Sequence, residues 1–130
     1  MKKVLKRIAS VLVLMFLGGL GYFGYVYLTL TDNPFNNRKF DRKVWISFHD
    51  NFDSDNPRGE MYEDLVATHL RKGITREEVV TLLGTPDIEN GKTLLSYNLG
   101  MWSGMRIDYD SLDVTLSDDE VVVGVRRVQH

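Results

Sequence analysis

Cysteine is absent from the 130 residues, and proline occurs only three times. The first absence excludes disulfides, thiolate zinc sites, iron–sulfur clusters, a cysteine nucleophile and lipid attachment through an N-terminal cysteine. Positive charge is scarce after the N-terminal segment. Beyond Leu30 the chain carries 12 Lys and Arg against 18 Asp and Glu, a net of −6. A net charge of that sign argues against a nucleic-acid partner, whose polyanionic backbone needs an extended basic face. There is no G-x-S-x-G elbow and no glycine-rich phosphate loop. The serines have no evident His–Asp constellation, and no carboxylate pair announces itself as acid and base. Neither an enzyme nor a cofactor is expected.

One long uncharged run stands out. Ile8 to Leu30 is a 23-residue stretch without a charge, preceded by Lys2, Lys3, Lys6 and Arg7. About 20 apolar residues suffice to cross a hydrocarbon core of about 30 Å. Tyr22, Tyr25 and Tyr27 cluster in its second half, where amphipathic rings suit the interface. A cleaved signal peptide would have a shorter apolar region of about 7–15 residues. Gly19-Leu20-Gly21 offers it a poor cleavage site. Residues 1–30 are therefore expected to be an uncleaved anchor that meets the membrane through residues 8–30. The four leading positive charges favour a cytoplasmic N-terminus, although Arg38, Lys39, Arg42 and Lys43 blunt the bias. The expectation is a single pass through a bacterial inner membrane, with the C-terminal domain in the periplasm.

Residues 31–56 read as a tether and extended segment. Asn33-Pro34 and Asn36-Asn37 are turn signals. Val44, Ile46 and Phe48 alternate with Trp45, Ser47 and His49, a strand-like period of two. Asp53 and Asp55 have calcium-loop spacing, but Pro57, Arg58 and Asp64 occupy positions that need a ligand, a glycine and a glutamate. No metal is expected. Asn56-Pro57 then opens a helix predicted to run to about Lys72, with Met61, Tyr62, Leu65, Val66, His69 and Leu70 as one apolar stripe. His69 reads as structural.

The strongest local signal lies at 74–87. Thr75 and Glu78 have capping-box spacing, and Ile74 and Val79 flank the cap as a hydrophobic staple. Gly84 is placed to end the helix, and Pro86 prevents its continuation. The run Leu70-Arg71-Lys72-Gly73-Ile74-Thr75-Arg76-Glu77-Glu78-Val79, followed by Leu82-Leu83-Gly84-Thr85-Pro86-Asp87, resembles the signature of SmpA/OmlA (BamE-like) domains. The resemblance covers about Met61 to Val128. It implies an envelope protein with two helices against a three-stranded antiparallel sheet. The best-known members are outer-membrane lipoproteins of the β-barrel assembly machinery. They are anchored by a lipidated cysteine that this chain lacks, and the matched residues are structural.

After the Asn90-Gly91 turn, alternation predicts strands around Leu95, Tyr97 and Leu99, around Leu112, Val114 and Leu116, and over Val121 to Val128. Between the first two strands, glycines at 100 and 104 frame a Met–Trp tip. Met101, Trp102 and Met105 are the candidate binding residues, because Met and Trp are enriched at interfaces. The loop folding back onto the sheet, or residues 105–109 extending a strand, would account for the same residues. Asp108, Asp110 and Asp113 read as a solvated strand edge.

The expected fold class is α+β: two short helices packed on a three-stranded antiparallel sheet, preceded by an N-terminal transmembrane helix. Residues 57–130 form the SmpA/OmlA-like α+β domain. The expected function is a non-catalytic, membrane-anchored envelope protein. It would bind or scaffold another envelope protein, with a link to outer-membrane or envelope assembly. The alternative is a secreted inhibitor-like or ligand-sensing domain released by signal cleavage.

Overall fold

The computed structural model describes residues 1–31 and 33–130. It separates into two units, Met1–Asn33 and Pro34–His130. The first is a single helix, α1 (Lys2–Thr31), long and apolar enough to cross a membrane. Its apolar side chains, Phe16 and Phe23 among them, are exposed along its length. A helix rises about 1.5 Å per residue, so 23 residues cover about 34 Å, enough for a bilayer core.

The second unit is α+β, as expected, but richer than two helices on three strands. Four antiparallel strands follow one another in space as in sequence: β1 (Ile88–Asn90), β2 (Leu94–Ser103), β3 (Asp108–Leu116) and β4 (Val122–Gln129). Three short helices, α2 (Arg42–Ser47), α3 (Tyr62–Thr68) and α4 (Arg76–Leu83), contribute to one core. Trp45, Met61, Leu65, Val79 and Leu83 bury themselves against Leu95, Tyr97, Leu99, Leu112, Val114 and Val122 of the sheet. The unpredicted strand, β1, has three exposed residues and no alternation. Only its pairing with β2, Ile88 to Ser96 and Asn90 to Leu94, defines it.

The extended segment is corrected to a helix. Asp41 accepts hydrogen bonds from the Lys43 and Val44 amides at 2.9 and 3.2 Å and so caps α2. Six residues are too few for the helical period to show, so a two-residue alternation was all the sequence displayed. Trp45 is 0 % exposed, with its ring 5.9 Å from Phe40 and 6.3 Å from Tyr97. Residues 34–56 therefore belong to the folded unit rather than to a tether.

α3 is also shorter than expected. The Asn56 side chain accepts from the Arg58 amide at 3.0 Å, which makes a local turn instead of a helix cap. A 3₁₀ turn at Gly59–Met61 then leads into the helix. His69 is exposed and lies 5.0 Å from the Phe40 ring.

α4 begins and ends where the sequence places it. The Glu78 amide donates to Thr75 Oγ1 at 3.2 Å, and the Thr75 amide to Glu78 Oε2 at 2.7 Å. Gly84 ends the helix at φ 79, ψ −169, a region essentially reserved for glycine. Its carbonyl accepts from the Tyr97 hydroxyl at 3.1 Å. Thr75→Ala should cost about 1 kcal/mol and Gly84→Ala about 1–3 kcal/mol. Urea unfolding midpoints at unchanged m-value would check both.

β4 departs from simple alternation. Leu116 pairs with Val122 and Thr115 with Gly124, leaving Val123 as an extra residue. Val122 is 1 % exposed and Val123 47 %, while Val125 packs on the core. The bulge shifts the inward face by one position, so strict alternation does not hold along β4.

Candidate functional site

The Met–Trp segment is a buttressed hairpin. β2 continues to Ser103, a 3₁₀ turn spans Gly104–Arg106, and β3 starts at Asp108. Gly104, Met105 and Arg106 have φ of 55, 58 and 62, three successive left-handed residues of which only one is glycine. Such a tip persists only where its surroundings determine it.

Asp110 supplies much of that determination. Its side chain is 0 % exposed and bonds to Arg127 Nη1 at 3.0 Å. It also accepts from the Ser103 hydroxyl at 2.7 Å and from the Trp102 and Ser103 amides at 3.3 and 2.8 Å. The carboxylate thus fastens the irregular end of β2, where the pairing with β3 shifts register on both sides of Gly100. Gln129 Nε2 donates to Asp108 Oδ2 at 2.8 Å beyond it. The acidic run is corrected accordingly: Asp110 and Asp113 are buried, and Asp113 accepts from Ser96 and Ser111 at 2.7 and 3.1 Å.

The three residues singled out by composition are placed differently. Trp102 folds back and is half-buried, its indole N–H directed at the Asn56 and Leu99 carbonyls at 2.9 and 2.8 Å. Its ring lies over Gly59, where an added Cβ would overlap it, and the Arg106 guanidinium sits 5.0 Å from the ring centroid. Met101 is half-buried, with its amide 3.4 Å from the Asp53 carbonyl. Met105 projects outward at 87 % exposure, beside Ile107 at 70 %. Trp102 therefore supports the tip that Met105 and Ile107 present. Ile107 and the Asp110 brace went unnoticed in the sequence. An apolar residue following Met-Arg was the available signal for the former; nothing local marks the latter.

A second polar centre lies around Asp87. Its fully buried carboxylate accepts from Arg58 Nη1 and the Asn98 amide, each at 2.7 Å, and pairs with His49 Nδ1 at 2.8 Å. The Asp50 amide is a further partner. Arg58, itself buried, donates from Nε to the Trp45 carbonyl at 2.6 Å. Burial pulls the Arg58 guanidinium below its ordinary pKa, and Asp87 opposes that shift. This centre clamps the 45–58 segment to β2. Elsewhere the Lys39 hydrogen bond, joined by the Phe40 amide, holds the Asp64 carboxyl below the usual range. Burial pushes the Tyr97 hydroxyl up.

One Ser–His contact does form: Ser111 Oγ lies 2.9 Å from His130 Nε2. Ser111 is 1 % exposed and also donates to Asp113, so the contact is a packing interaction with no attacking oxygen presented to solvent. Among the described residues, no group of three or more His, Asp and Glu is placed to hold a metal ion. No protein-family model matches the chain, and no curated protein or solved structure matches it significantly.

Proposed function

We propose that the chain is a non-catalytic, membrane-anchored module of the bacterial envelope whose folded domain presents the Met105–Ile107 tip to another envelope protein. The observation that carries this reading is the tip itself: Met105, on left-handed backbone, and Ile107 beside it project outward from a turn braced by buried Asp110 and half-buried Trp102. Exposed apolar side chains on a preorganised element bind with little loss of conformational entropy. An inner-membrane location with the domain in the periplasm rests on the charges around α1. A link to outer-membrane or envelope assembly rests on the SmpA/OmlA resemblance, which covers about Met61 to Val128 and is carried by the run at 70–87.

A photoreactive amino acid at Met105 tests the proposal in cells. It should give a discrete crosslinked product that the same probe at exposed Asp55 does not. With the probe moved to Ile107, Met105→Asp should abolish the product while changing domain stability by less than about 0.5 kcal/mol. Equal products from both sites, or none from the tip, would overturn the reading.

A further inference from the structure

The domain's basic residues are densest in the segment that follows α1 in the sequence. Pro34 to Lys43 contains Arg38, Lys39, Arg42 and Lys43 against Asp41, a net of +3. Residues 44–130 carry 8 Lys and Arg against 16 Asp and Glu, a net of −8. All four basic residues are exposed, whereas Phe35, Phe40 and Trp45 turn into the domain. The segment is fixed further by the Arg38 amide on the Glu60 carbonyl at 3.0 Å and by the Asp41 cap of α2. Arg42 Nε bonds to the Thr81 carbonyl at 2.9 Å and Lys39 Nζ to Asp64 at 2.7 Å. Asn36, Asn37, Arg38 and Lys39 line a shallow hollow of about 110 Å³, furnished with amide and cationic donors.

We infer that Asn36 to Lys43 is a headgroup-binding platform for the phosphodiesters of anionic phospholipids. The inference rests on the anchor reading of α1. Only Asp32 and Asn33 separate the end of α1 from Pro34, so an inserted helix delivers this segment to the membrane surface. Amide, guanidinium and ammonium donors match phosphate oxygens. Juxtamembrane Lys and Arg are attracted to anionic lipid, and the attraction fades within a Debye length. The −8 remainder of the domain is repelled by the same surface, so the platform also orients the domain.

The test uses the full chain in nanodiscs of phosphatidylcholine, with or without about one third phosphatidylglycerol, and reads lysine acetylation rates. Lys39 and Lys43 should react about tenfold more slowly in the anionic discs, with Lys72 and Lys92 unchanged, and high salt should remove the difference. Arg38→Gln with Arg42→Gln should remove most of the shielding. Equal rates in the two lipids would overturn the inference, as would uniform slowing at all four lysines. Equal shielding by inorganic phosphate over neutral discs would also overturn it, in favour of a soluble-anion site. A chain that fails to stay with either disc would refute the anchor reading itself, and the platform with it.

Discussion

Replacing Asp87 with alanine should destabilise the domain by about 3–5 kcal/mol, because it leaves the Arg58 guanidinium charged, buried and unpaired. Arg58 and the Asp87 side chain are both fully buried, and the carboxylate also holds His49 and the Asn98 amide. For a domain stabilised by about 5–15 kcal/mol, such a loss is a large fraction of the total. Removing both charges together, as Arg58→Met with Asp87→Leu, should recover much of the loss, since apolar replacements of buried ion pairs are often neutral. Urea unfolding of the chain in detergent, followed by near-ultraviolet circular dichroism, measures both. A loss below about 1 kcal/mol for the single variant would show that solvent reaches the pair.

Trp45→Ala should cost about 3–5 kcal/mol, the range for removing a fully buried aromatic ring. Trp45 bridges Phe40, Tyr97 and the Arg58 guanidinium, whose carbon lies 4.9 Å from the ring centroid. A chain beginning at Pro34 should therefore fold, and one beginning at Pro57 should not, because the latter lacks the ring and the α2 cap. Proteolytic resistance of the two fragments distinguishes the outcomes. Equal resistance would restore residues 34–56 to the role of a tether.

The elements legible in the sequence are those whose determinants are local. Thr75, Glu78 and Gly84 specify α4 within ten residues, and the structure uses each as its chemistry suggests. α1 is legible because length and composition alone define it. β2 is legible through Leu95, Tyr97 and Leu99, whose alternation survives into the core. What stayed hidden depends on residues far apart in the chain. Arg58 and Asp87 are 29 positions apart, and nothing local to either marks them as partners. The Trp102 indole finds the Asn56 carbonyl across 46 positions, which decides that Trp102 supports the tip and Met105 projects from it. The β4 bulge likewise follows from its pairing with β3, not from its own run of valines.

Membrane anchoring is tested most directly by intact mass and protease accessibility of the native protein. Anchoring requires a full-length mass, including residues 8–30, in carbonate-washed membranes, with the domain digested in spheroplasts from outside only. A soluble protein whose mass begins near Tyr22 would contradict it, and would instead mean a cleaved signal and a released domain.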